Sequence, residues 1–85
     1  MQFEYKPHGT CSTKIRFDID DHRVRNVVYE NGCSGNLQGV GRLVDGMEVD
    51  EVIARLKGIR CGYKDTSCPD QLAKALEQAK KQLGV

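Results

Sequence analysis

Four cysteines, Cys11, Cys33, Cys61 and Cys68, are the residues of this 85-residue chain whose type equips them to do chemistry as a group. Thiolates are soft ligands suited to zinc and to iron–sulfur clusters, and they are also nucleophiles and redox groups. The chain has no Cys-x-x-Cys pair, which excludes zinc-finger and zinc-ribbon spacing. Six residues separate Cys61 from Cys68, a span that a loop closes around one metal. Buried packing is the plain alternative, because free cysteine behaves as a small hydrophobe. Packing would place cysteines on apolar stripes, and none of the four falls on one.

Other polar residues carry less. His8 and His22 are the only histidines and sit in expected loops or turns, so the default is a solvated role. His8 is close enough in sequence to Cys11 to serve as a spare ligand or to orient one. Asp20 and Asp21 read as turn residues. Gly35-Asn36-Leu37-Gln38-Gly39 lacks the Gly-Lys-Ser/Thr ending of a phosphate loop. Arg55, Lys57, Arg60 and Lys64 flank Cys61, either offsetting the charge of a thiolate-bound metal or forming a solvated basic face.

The elements that must position the cysteines follow from periodicity. Ile15, Phe17 and Ile19 alternate with Lys14, Arg16 and Asp18, the pattern of a half-buried strand. Asp20-Asp21-His22 turns the chain, and Val24 to Tyr29 returns as a hairpin partner. Phe3 and Tyr5 give a short third strand before Pro7. Asn31 to Asn36 reads as a loop, and Leu37, Val40 and Val44 as a helix ending at Asp45-Gly46. Gly39 and Gly41 weaken that helix by ~1 kcal/mol each relative to alanine and read as close-packing devices. Val49, Val52, Ile53 and Leu56 stripe a second helix stopped by Gly58. Ser67-Cys68-Pro69-Asp70 has the form of a capping box opening a third helix, with Leu72, Ala75, Leu76, Ala79 and Leu83 on one face. Strands first and helices second is α+β, with the helices packed on one face of a small antiparallel sheet. Cys33 and Cys68 then lie at helix N-termini, where the dipole favours the thiolate a metal needs.

Length and composition set the frame. Residues 1–85 form one domain, and a net charge of +1 gives no general attraction to nucleic acid or anionic membrane. No apolar run approaches the ~20 residues of a membrane span, and the first residues do not resemble a secretory signal, so a cytoplasmic location is expected. A reducing cytosol disfavours disulfides, which puts metal binding first. At 39% hydrophobic and without Trp, the chain builds a lean core. Such a core leaves only a few kcal/mol of net stability, whereas a structural zinc contributes an apparent ~10–16 kcal/mol in small peptides.

Thr66-Ser67-Cys68-Pro69-Asp70, together with Gly32-Cys33-Ser34-Gly35-Asn36-Leu37 upstream, resembles the TSCPD domain family over about Cys11 to Leu83. That family occurs as small stand-alone bacterial proteins and at the C-terminus of ribonucleotide reductases, notably cobalamin-dependent ones. The resemblance implies a link to deoxyribonucleotide synthesis, not catalysis by this chain, which has no room for the reductase barrel. The order of cysteines and elements also resembles the NifU-like iron–sulfur scaffolds, with Cys11, Cys33 and Cys68 at that family's ligand positions. Thr13 and Ser67 stand where the scaffolds carry an aspartate and a histidine that help a labile cluster leave. Those departures, with Cys61 added, point to a closed site in which Cys11, Cys33, Cys61 and Cys68 retain zinc.

The sequence-based expectation is therefore a zinc-binding accessory module that contacts a larger protein, a ribonucleotide reductase. The alternatives are a cysteine redox donor to a reductase and an iron–sulfur scaffold-like protein.

Overall fold

A computed structural model describes residues 1–10, 12–31 and 34–84. The elements run β1 (Gln2–Tyr5), β2 (Lys14–Asp20), β3 (Arg23–Glu30), α1 (Ser34–Val44), α2 (Val49–Leu56) and α3 (Cys68–Leu83). The three strands form an antiparallel meander in the order β1-β2-β3. This is the expected α+β arrangement, with all strands preceding all helices.

The alternation in β2 works as the sequence predicts: Ile15, Phe17 and Ile19 are buried and join the core. Phe3 stands opposite Phe17 in register, and their rings stack with centroids 5.6 Å apart, which fixes β1 on that edge. Asp21 and His22 both have positive φ (52° and 64°), the backbone of a two-residue type I′ hairpin.

In β3 the alternation is interrupted. Arg16 pairs with Val28 but Asp18 pairs with Arg25, so β3 carries one extra residue opposite Phe17. Asn26 takes the left-handed conformation there (φ 56°), donates from its side chain to Asp18 at 2.9 Å and from its main chain to Asp45 at 3.0 Å. The bulge resets the phase of the strand. Val24 faces inward before it, and Val27 and Tyr29 pack on the core after it, while Val28 is exposed.

Helix α1 begins at Ser34, three residues before the first apolar stripe position, so residues 34–36 are its polar first turn rather than loop. Its two internal glycines differ. A Cβ on Gly41 would sit 2.9 Å from the carbonyl oxygen of Val27, so helix and strand approach closely only because that position is bare. A Cβ on Gly39 would meet nothing within 4 Å, so the packing role expected there is absent.

After α1 the chain lies against β3, with Val24 N donating to Met47 O and Gly46 N to Val24 O (2.9 and 2.7 Å). Helix α2 then buries Val49 and Val52. Leu72, Ala75, Leu76 and Ala79 of α3 complete the core with the inner face of the sheet. Leu83, expected on that face, is 36% exposed because it lies in the last turn, past the edge of the core. Ion pairs of Lys57 with Glu77 and of Lys80 with Asp50 tie α2 and its C-terminal end to α3.

Candidate cysteine site

The segment between α2 and α3, residues 57–67, lacks regular structure and contains Cys61; it leads directly into Cys68. It is held by the polar residues around Cys68. Ser67 is the N-cap of α3: its Oγ accepts from Asp70 N at 3.1 Å and its hydroxyl donates to Ile59 O at 2.7 Å. Half of the expected capping box is therefore present. The other half is redirected, because the Asp70 carboxylate reaches across to the loop rather than back to its own N-cap. Its Oδ1 accepts from Gly58 N at 2.7 Å and its Oδ2 from the Thr66 hydroxyl at 2.5 Å. Thr66 Oγ1 accepts in turn from Gln71 Nε2 at 2.8 Å, and Gln71 Oε1 accepts from His8 N at 3.1 Å.

These groups are buried: Ser67, Asp70 and Gln71 are each 5% exposed or less. Burial alone would raise the carboxyl of Asp70. The hydrogen bonds from Thr66 and Gly58 and the nearby Lys74 ammonium outweigh it and hold the group below its ordinary value. In this network threonine and aspartate clamp the loop, serine caps the helix, and Pro69 occupies a first-turn position that needs no N–H donor.

Cys68 is the first residue of α3 and is partly buried. Its Sγ lies 3.2 Å from the hydroxyl of Ser12, which is 3% exposed. The Tyr29 hydroxyl donates to the carbonyl oxygen of Cys68 at 3.3 Å. Burial, followed by the charge of a Cys68 thiolate, pushes the Tyr29 phenol well above its usual range. Cys61 is exposed in a tight turn, its N–H donating to Thr66 O and its carbonyl accepting from Lys64 N, both at 3.1 Å. Cys61 and Cys68 are free thiols.

Cys11 and Cys33, the other expected ligands, lie outside the described residues. Among the described residues there is no group of three or more His, Cys, Asp and Glu side chains placed to hold a metal. Of the basic residues flanking Cys61, Arg55 is paired with Glu51 and Lys57 with Glu77, both at 2.9 Å. Beside the turn an open groove of about 680 Å³ runs between His8 and residues 63–66, with the Tyr63 ring fully exposed at its rim. Sequence reasoning missed Ser12, Tyr29 and Gln71. Gln71 follows the motif directly, but nothing in the residue types alone joins Ser12 to a sulfur 56 positions away.

Fold and site together define a small α+β domain that presents cysteine at a loop and at a capped helix N-terminus. The sequence profile of the TSCPD domain matches residues 3–80, and the chain belongs to that family. No curated protein matches it. No solved structure matches it either. Among the described residues no helix is long and apolar enough to cross a membrane.

Proposed function

We propose that the chain is a metal-binding accessory module in which Cys11, Cys33, Cys61 and Cys68 hold one zinc ion, and that it acts by contacting a ribonucleotide reductase in the cytoplasm. The observation that carries the metal reading is the seating of Cys68. It stands at the positive end of a 16-residue helix, with a buried hydroxyl against its sulfur and its main chain pinned by Tyr29. Ser12 is the sequence neighbour of Cys11, and Thr13 pairs with Glu30 and Asn31, just ahead of Cys33. The surroundings of Cys68 and the described residues that flank Cys11 and Cys33 in sequence thus lie at one end of the sheet.

Such a donor set suits a soft, tetrahedral, redox-inert ion. Bound there, zinc would supply a cross-link between the sheet end and the start of α3. The clamp made by Thr66, Ser67 and Asp70 contributes the loop that carries Cys61, fixed before any ligand arrives. The reductase assignment rests on membership of a domain family that also occurs at the C-terminus of ribonucleotide reductases.

The test is metal analysis with thiol counting on one anaerobic sample, followed by capture of a purified reductase. One zinc per chain, with four thiols that react only after chelation, supports the reading. Zinc-free, folded protein from metal-replete cells rules the metal out. A disulfide that forms reversibly within reach of thioredoxin selects the redox donor instead, and coloured protein after anaerobic iron and sulfide reconstitution selects the cluster scaffold.

A further inference from the structure

We propose that Ser12 is the positioning residue for the Cys68 sulfur, its hydroxyl donating to Sγ; this rests on the reading of Cys68 as a metal ligand. The contact is 3.2 Å, bridges 56 positions of sequence and involves a serine that is 3% exposed. A hydrogen count fixes its direction. Serine carries one hydroxyl hydrogen, and a metal-bound sulfur carries none, so between them only Ser12 can donate. Thr10 completes the chain, its Oγ1 lying 3.3 Å from Ser12 Oγ and 3.4 Å from Ser12 O. Thr10 thus has an acceptor for its own hydrogen in Ser12, and Ser12 is free to commit its hydrogen to sulfur. Successive donors in one direction reinforce each other.

Both ends of the contact are held by different elements. Ser12 is anchored through its neighbour Thr13, whose N–H donates to Glu30 O at 2.9 Å at the start of the hairpin. Cys68 is anchored by the Ser67 cap and by Tyr29. The hydroxyl therefore selects one rotamer of Cys68 and withdraws electron density from its sulfur. Partners of this kind set the orientation and donor strength of metal ligands, and their removal weakens metal affinity by about 10- to 100-fold.

The test uses the full chain as wild type, Ser12→Ala and Ser12→Thr, each checked for folding by circular dichroism and melting. Zinc and cobalt(II) are titrated against a chromophoric chelator. Ser12→Ala should bind both ions about 10- to 100-fold more weakly and shift the thiolate-to-cobalt charge-transfer band. Ser12→Thr, which keeps the hydroxyl, should recover both. The S–H stretching band of metal-free protein, assigned to Cys68 through Cys68→Ser, reads the Ser12–Cys68 contact whichever of the two atoms donates once the sulfur is protonated, and should move in Ser12→Ala. If wild type binds neither ion, metal ligation and the donor direction fall with it, while the S–H band still decides whether Ser12 holds the Cys68 sulfur. An unchanged band in Ser12→Ala, or unchanged metal affinity where wild type binds, overturns the proposal.

Discussion

Asp70 does three things at once from one buried side chain: it takes the Gly58 N–H and the Thr66 hydroxyl and attracts the Lys74 ammonium. Replacing it with asparagine keeps the shape but turns one acceptor into a donor that faces an N–H or an O–H. Asp70→Asn should lose about 1.5–3 kcal/mol, the range for a hydrogen bond to a charged group, read as a lower urea midpoint at unchanged slope. The pH dependence has a definite sign. The folded carboxyl lies below its ordinary value of 3.8, so its stabilisation is complete above that value. It is lost as pH falls further, through the folded-state value, because the unfolded chain then binds the proton first. Wild type should therefore lose stability across that acid range, and Asp70→Asn should show a shallower loss. Equal acid profiles for the two proteins would remove Asp70 from the account.

At the scale of elements, the two glycines of α1 separate propensity from packing. Gly39→Ala adds a methyl group to open space and should stabilise the helix by up to about 1 kcal/mol. Gly41→Ala gains the same propensity but drives a Cβ to 2.9 Å from Val27 O, and main chain cannot rotate away as a side chain can. A net loss on the order of 1–2 kcal/mol is expected, with opposite shifts in melting temperature for the two variants as the check. The sequence marks both only as glycines in a helix, since the close approach depends on how α1 lies on β3. Local signals were the legible ones: the alternation of Ile15, Phe17 and Ile19, the hairpin turn, and the Ser67 cap. What depends on distant partners was not. The bulge at Asn26 needs Asp18 and Asp45, the redirected Asp70 needs Gly58, and the Ser12–Cys68 contact needs the hairpin to meet the start of α3. The polar first turn of α1 was unreadable because apolar spacing reports only the buried face.

For the molecule as a whole, the balance is between a small core and what else can hold it. Among the described residues the largest fully buried side chains are Phe17, Ile15, Leu72, Leu76, Val24 and Val52. All lie between sheet and helices, while the loop carrying Cys61 is held mainly by hydrogen bonds. A ligand that binds only the folded chain adds stability by mass action, about 4 kcal/mol when free ligand exceeds Kd a thousandfold. In a domain of this size that corresponds to a rise in melting temperature on the order of 15–30 °C. If zinc joins the cysteines, zinc-loaded protein should melt higher by that order than chelated protein, and the gain should grow with free zinc concentration. Reductant without chelator should leave the melting temperature unchanged, because zinc-bound thiolates are already reduced. A redox dithiol gives the reverse pattern: its melting temperature responds to reductant and ignores the chelator. Differential scanning calorimetry under these two treatments therefore separates a metal-held domain from a thiol-exchange protein on stability alone, with no need to identify the partner first.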